Sequence, residues 1–357
     1  LTMKTRLYSF LILSLCWSGI TFSQQNRHFS MWNEAPSAIN PGATAVMDED
    51  IRLFTNFRMQ WTSIEGLPFR TNSFGFDAKL MKQKNSQNHL GVGVNFTNDA
   101  TGDLKLTTNL ISVPINYTIE ADKNTLFSIG IAPGFYQQSI RNNTSTWNNQ
   151  WNGITYDQAA ISGENFSPDN TVSNFDIGAG MHIRYAFDAL SNINFGLSVN
   201  HITAPAVNYS SLVNNLYRNV NITAYGTRFL DDRNFGFSPM ALVQLQGPNR
   251  NIVFGTTLDH ELFESSKRTD YVQRSLVSYG IFYRWSDAFI ASISAKVRGF
   301  KVGMSYDVNI SSLSSATRAM GGFELFLKFS TLTDRSGYIH DRKLFRWNRG
   351  GGRAKRL

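Results

Sequence analysis

The sequence predicts an all-β fold, a transmembrane antiparallel β-barrel of about fourteen strands with a short N-terminal periplasmic segment and a basic C-terminal tail. Three observations carry this expectation. The 357-residue chain opens with an export signal. Its body alternates apolar and polar residues with a period of two, the period of a strand. Nothing after residue 23 resembles a membrane-spanning helix, yet aromatic content reaches 13%. Mean hydropathy is −0.24; barrel strands need only about ten alternating residues each, so such a value suits a barrel.

The export signal reads over residues 1–23. Met3 is the expected natural start, Lys4 and Arg6 form the positive region, and Leu7 to Trp17 form the apolar core. That core is shorter than the roughly 20 apolar residues a membrane helix needs. Thr21-Phe22-Ser23 places small residues at −3 and −1 of a cleavage site, so the mature chain is expected to begin at Gln24. Cys16 is the only cysteine. Leu15 stands where a lipoprotein signal wants a small residue, so cleavage at Ser23 is preferred and removes the cysteine. A disulfide framework and a zinc-thiolate site are then excluded.

Residues 24–50 form a periplasmic segment ahead of the first strand. Pro41 holds Asn40 away from helix. The segment reads as an ordered lead-in, with a plug under the barrel as the alternative.

The barrel is expected over 51–330. Leu90, Val92, Val94 and Phe96 share one face, with Gly91, Gly93 and Asn95 on the other. Phe175 to Tyr185, Ile193 to Asn200, Phe289 to Val297 and Val302 to Ile310 alternate likewise. The expected strands lie near 51–61, 69–80, 89–97, 104–119, 125–140, 173–187, 193–203, 219–229, 235–247, 251–262, 275–285, 289–297, 300–310 and 321–330. Their number is even, as in bacterial single-chain barrels. Gly, Asn and Ser recur on the polar face, and Trp61, Tyr117, Tyr136, Tyr185 and Trp285 fall at strand ends, where interfacial girdles sit. A soluble β-sandwich explains the period but neither the long strands nor the girdle.

Turns are expected to alternate, short at Glu120 to Asn124 and Gly299-Phe300, long at 141–172 and 204–218. The inward face carries Arg58, Asp176, His182, Arg184, Asp307 and Asn309, which reads as a lumenal ladder of ion pairs, with solute selectivity as the alternative. The closing strand sets Phe323, Leu325, Leu327 and Phe329 against Glu324, Phe326 and Lys328.

Charge is uneven. Of the formal +8, Lys4 and Arg6 supply two. The tail 331–357, with eight Lys/Arg against Asp334 and Asp341, supplies six, so residues 24–330 are neutral. The basic balance therefore belongs to the two ends, and a nucleic-acid partner is not expected.

Three stretches together carry a family resemblance. They are Phe29-Ser30-Met31-Trp32-Asn33 through Asn40-Pro41-Gly42-Ala43; Arg58-Met59-Gln60-Trp61 with Gly66-Leu67-Pro68; and Gly303-Met304-Ser305-Tyr306-Asp307 with Gly321-Gly322-Phe323-Glu324. In order and spacing they resemble the PorP/SprF family of outer-membrane proteins, which work with the type IX secretion system and gliding machinery of Bacteroidota. The resemblance singles out Asn40, Pro41, Arg58, Gln60, Trp61, Gly303, Ser305, Tyr306 and Asp307. It implies an outer-membrane component that binds or anchors a secreted surface adhesin, or its C-terminal domain, and links it to periplasmic type IX and gliding proteins. The loop 141–172 and the tail depart from the common family pattern.

Two surfaces are candidate partner sites. In the long loop, Trp147, Trp151, Tyr156 and Phe166 stand among amides, a mix suited to protein contact or to folding over the barrel mouth. In the tail, Arg342, Lys343, Arg346 and Trp347 suit outer-membrane lipid head groups or an acidic periplasmic protein. An enzyme is not expected. His28, His89, His182, His201, His260 and His340 lack metal-ligand spacing, and there is no Gly-x-Ser-x-Gly elbow. No cofactor or metal is implied. The alternative function is a passive channel or lipid-type transporter, since fourteen strands fall between side-chain-filled barrels and aqueous porins.

Overall fold

The structure, a computed structural model, describes residues 28–332 apart from 64–67, 84–85, 103–105, 142–146, 158, 162–168, 189, 208–214, 231–233, 264–274 and 313. The export signal, Phe166 and the tail residues Arg342, Lys343, Arg346 and Trp347 lie outside the described residues.

Alternation puts every second side chain on one face, so a sheet with this pattern has an apolar and a polar side. An open sheet would leave unpaired backbone at its edges, which a bilayer cannot solvate; closure removes the edges. The strands are β1 (Ile51–Gln60), β2 (Phe69–Leu80), β3 (His89–Thr101), β4 (Leu106–Ser112), β5 (Ile115–Asp122), β6 (Thr125–Arg141), β7 (Asp169–Ala186) and β8 (Asn192–Asn200). They continue with β9 (Asn219–Phe229), β10 (Phe235–Gln246), β11 (Asn249–Phe263), β12 (Ser275–Arg284), β13 (Ala288–Val297), β14 (Phe300–Asn309) and β15 (Met320–Thr331). All pairings are antiparallel, and β15 pairs with both β14 and β1, closing the barrel.

β4 and β5 are two halves of one stave, so the barrel has fourteen. β3 pairs Asn95 with Ser112 and Val92 with Ile115, and its register runs unbroken across the gap. The stave breaks at Val113-Pro114 because Pro114 has no N–H to donate; its carbonyl still accepts from Gly93 N at 2.8 Å.

The apolar face points out. On β5, exposed Ile115, Tyr117 and Ile119 alternate with buried Asn116 and Thr118. On β14, exposed Val302, Met304, Tyr306 and Val308 alternate with buried Ser305, Asp307 and Asn309. An apolar exterior around a polar lumen is the pattern of a membrane barrel. Tyr136 departs from the expected girdle: it faces inward and packs with Val207 and Leu216. Even-numbered residues of β6 are the inward ones, which places Tyr136 on the same face as Leu126 and Ser128.

We call the end where β1 begins proximal and the other end distal. The long β6–β7 and β8–β9 connections both leave the barrel at its distal end. The expected alternation of turn length fails at β11: the distal β10–β11 turn is only Gly247-Pro248, whereas the proximal β11–β12 connection spans 264–274. The proximal turn Arg298-Gly299 has positive φ at both residues (48° and 86°), as a two-residue hairpin matching strand twist requires.

The segment ahead of β1 lies inside the barrel. It replaces the ordered lead-in with a chain that fills the lumen, and the small residues of the inward face make room for it. A Cβ at Gly180 would stand 2.1 Å from Asn40 Oδ1, one at Gly196 2.6 Å from Asn40 Nδ2, and one at Gly130 2.6 Å from Pro41 O. Gly180→Leu is therefore expected to expel Asn40 while the staves still close. The variant should keep the fast gel mobility of a folded barrel and lose protease protection of residues 28–50; unchanged protection would contradict the packing.

Candidate functional site

The internal segment is short turns joined by prolines. Trp32–Glu34 is a 3-10 turn, Pro36–Ile39 one helical turn, and Pro41–Ala43 a second 3-10 turn. Pro36 and Pro41 each open a turn, where the missing N–H costs nothing. Asn40 between them is extended (φ −131°, ψ 111°), as a residue before proline prefers. Its Oδ1 accepts from Gly42 N at 2.8 Å, and its Nδ2 donates to Met181 O at 2.9 Å. One side chain thus satisfies the start of a turn and ties it to the wall. Nearby, Ser198 Oγ and Asn200 Nδ2 donate to Ile39 O (2.8 and 3.0 Å), while Asn116 Nδ2 donates to Gly42 O (2.9 Å).

At the distal end the segment meets a buried cluster of charges from four staves. Arg58 Nη2 contacts Asp307 Oδ2 at 2.6 Å and Arg58 Nη1 contacts Glu324 Oε2 at 3.1 Å, with Arg58 and Asp307 each 1% exposed. Arg284 Nη1 also reaches Asp307, at 2.9 Å. Ser30 sits in the middle. Its hydroxyl donates to Asp307 Oδ1 (2.8 Å) and accepts from Arg58 and Arg284, and its backbone N donates to Glu324 Oε2 (2.7 Å). Met31 N donates to Glu324 Oε1 (3.1 Å).

Below this cluster, Met31 and Trp32 pack on an apolar patch of the inner wall formed by Met240, Leu242, Val253, Phe282, Ile290 and Phe326. Trp32 is 1% exposed and meets Tyr225 edge-on, with ring centres 5.6 Å apart. Burying a Met side chain stabilises by about 1.5–3 kcal/mol, and a Trp buries more area still.

The remainder of the segment is held by charge. It carries Glu34, Asp48, Glu49 and Asp50 and no Lys or Arg. Glu34 is buried between Lys301 (2.6 Å) and Lys328. Burial disfavours its charged form, but the two ammonium groups outweigh that and hold the carboxyl well below the usual carboxylate range. Asp48 pairs with Arg184 at 2.8 Å, Glu49 with Lys296 at 3.5 Å and Asp50 with Lys82 at 2.9 Å. Ala45 N donates to Asp77 Oδ2 at 2.7 Å, and Asp77 also pairs with Arg52. A polar cavity of about 190 Å³ remains at the proximal end, bordered by Asp48, Glu49, Arg52, Arg184, Lys296 and Lys328. A second, of about 50 Å³, lies beside Pro41 and the buried His201–Asp176 pair, whose Nδ1···Oδ2 distance is 2.6 Å.

Six of the residues singled out from sequence, Asn40, Pro41, Arg58, Gly303, Ser305 and Asp307, lie here. Arg58 and Asp307, 249 positions apart, are joined in one buried pair, because β1 and β14 both flank β15. Asn40 and Pro41 lie against β6 to β8, and Gly303 and Ser305 line the inner wall of β14. Tyr306 faces outward, while Gln60 and Trp61 end β1, with Trp61 edge-on to Phe69 at 4.6 Å. Trp151 and Tyr156 stand apart in the distal loop. They pair with each other (ring centres 4.9 Å) and remain about half exposed, while Trp147 precedes a turn whose Gln150 is buried. The sequence reading missed Ser30, Glu34, Arg284, Lys301 and the apolar wall patch. Lys301 and Lys328 did carry a signal: both fall on the inward face of a strand, and the inward acids of these staves, Asp307 and Glu324, are paired with Arg58.

A closed fourteen-stave barrel with an apolar exterior and a charged, filled lumen defines an outer-membrane β-barrel protein. The sequence model of the type IX secretion system membrane protein PorP/SprF matches residues 21–329, and the chain belongs to that family. A comparison with curated protein sequences returns no match. Solved structures similar in shape include the Ralstonia pickettii toluene transporter TbuX (TM-score 0.46, 10% identity, 84% of this chain and 94% of that one). The monoaromatic hydrocarbon channel CymD (0.46, 9%, 83% and 92%) and a Pseudomonas aeruginosa FadL homologue (0.41, 12%, 82% and 92%) are others. At such identities these likenesses say nothing of what this barrel handles.

Removing one partner of a fully buried ion pair strands the other, at a cost of about 3–5 kcal/mol. Arg58→Met should therefore lower the urea midpoint of the folded barrel clearly. Lys82→Met should leave it nearly unchanged, because Lys82 is 42% exposed and exposed pairs contribute little. Equal midpoints for the two variants would refute the ranking.

Proposed function

We propose that this protein is a non-enzymatic outer-membrane component of the type IX secretion and gliding machinery. It binds or anchors a secreted surface adhesin, or that adhesin's C-terminal domain, and links it to periplasmic partners. Family membership supports the secretion role. The observation that carries the non-conduit reading is the lumen itself: residues 28–50 occupy it, tied to the wall at several levels. A barrel filled by its own chain acts through the surfaces it presents. The distal loop with Trp147, Trp151, Tyr156 and Phe166 is the proposed adhesin-facing surface. The tail with Arg342, Lys343, Arg346 and Trp347 is the proposed periplasmic one, with cleavage near Ser23/Gln24 releasing the mature chain.

The alternative of a passive channel or lipid-type transporter draws on the barrel alone; the occupied lumen weighs against it. Affinity purification from native outer membrane should recover a secreted adhesin or type IX component, and a deletion strain should fail to retain that adhesin at the surface. Recovery of neither partner, with normal secretion in the deletion strain, would refute the reading. Removing 331–357 should leave membrane insertion intact and abolish adhesin retention; a truncated protein that functions normally would show that the tail is only an extension.

A further inference from the structure

The internal segment is held in two different ways along its length. From Glu34 onward it supplies the acids that partner Lys301, Lys328, Arg184 and Lys296. Withdrawing that part would leave four cations of the inner wall without these carboxylates, a cost that falls chiefly on Lys301 and Lys328, whose partner Glu34 is buried. Residues 29–33 contribute no charged acid or base. What they give the distal cluster is one hydroxyl and two backbone N–H groups. Arg58 and Arg284 already pair with Asp307 and Glu324 within the wall itself, and Arg284 also with Asp287 at 3.1 Å. Each guanidinium therefore keeps a carboxylate partner when Ser30 leaves the cluster. The segment can open from its N-terminal, distal end while its acidic part stays in place.

Such opening uncovers a defined pocket. Its floor is the apolar patch of Met240, Leu242, Val253, Phe282, Ile290 and Phe326, now filled by Met31 and Trp32. Its rim is Glu324, which accepts two consecutive backbone N–H groups, beside guanidinium groups that grip a small hydroxyl. Main-chain N–H groups and a hydroxyl at the rim, with an aromatic anchor on the floor, form a recognition site for polypeptide. We propose that the distal half of the lumen is a peptide-binding pocket, occupied in cis by Ser30-Met31-Trp32 and open to exchange for a partner's segment with the same order: small hydroxyl residue, apolar residue, aromatic residue. The proposal is a property of the barrel and does not depend on the secretion reading above; its failure would leave that reading untouched.

A cis occupant reduces the apparent affinity for a competitor by the fraction of pockets it leaves open. The test uses the purified full chain in detergent and a fluorescein-labelled peptide of residues His28 to Glu34, with a scrambled peptide as control. Trp32→Ala weakens the cis occupant without touching the wall. The folded variant should bind the native-order peptide saturably and at least about tenfold more tightly than the unaltered protein does. Adding Phe282→Ala to the wall should remove that binding. Met31→Ala, a smaller cut, serves the same comparison. The proposal is overturned if the folded variants bind neither peptide, bind both alike, or bind no better than the unaltered protein. Failure of both variants to fold would also overturn it, since the pocket is claimed to stand without its occupant.

Discussion

The structure depends on charge complementarity across the lumen. A closed barrel of fourteen staves encloses more space than its own inward side chains fill, while inward positions in a membrane barrel are the ones that tolerate charge. Here the inner wall brings Arg184, Lys296, Lys301 and Lys328 to its proximal half, and the segment ahead of β1 brings Glu34, Asp48 and Glu49 to meet them. The wall's own carboxylates Asp77, Asp307 and Glu324 are engaged by Arg52, Arg58 and Arg284, and the segment supplies acids to the remaining cations. Glu34 is the fully buried one of these, and burying it away from Lys301 and Lys328 would be unfavourable, so that part of the segment belongs inside.

Space is arranged to the same end. Gly130, Gly180 and Gly196 have no Cβ where Asn40 and Pro41 lie against the wall. Glycine weakens a strand when nothing replaces its side chain; here the segment is the replacement, and its backbone carbonyls at Ile39, Gly42 and Ala45 accept from Ser198, Asn116 and His89 or lie within hydrogen-bond distance of them. The apolar patch under Met31 and Trp32 stands out in a largely polar lumen, and Met31 and Trp32 bring no charge to it. Position along the segment thus decides the kind of contact that holds it.

The staves were legible in the sequence because a period of two survives in every one of them. The expected limits of β9 (219–229) agree with the structure, and others differ by a few residues, such as β7, which starts at Asp169. Breaks and turns were less legible. Pro114 falls inside a continuous register and interrupts only one stave's hydrogen bonding, which periodicity does not register. Tyr136 was misplaced because aromatics at strand ends were assigned to the girdle without asking which face the alternation gives them. The internal segment was legible only as the alternative of a plug: residues 28–50 have no period, and their proline-separated turns acquire a fold only against the wall. Arg58 and Asp307 were read correctly as inward residues. That they meet each other, and Ser30, follows only from closure, which sets β1 and β14 on either side of β15. The family motifs gain a physical reading from this, since Asn40, Arg58, Ser305 and Asp307 all help to seat the segment or shape the wall around it.

Everything rests on the claim that residues 28–50 seal the lumen. Single-channel conductance of the purified protein in planar bilayers tests it most directly. The intact barrel should stay closed, and a version lacking residues 28–47 but retaining folded-barrel mobility should show steady conductance steps. Steady conductance from the intact protein, equal to that of the truncated one, would contradict the account.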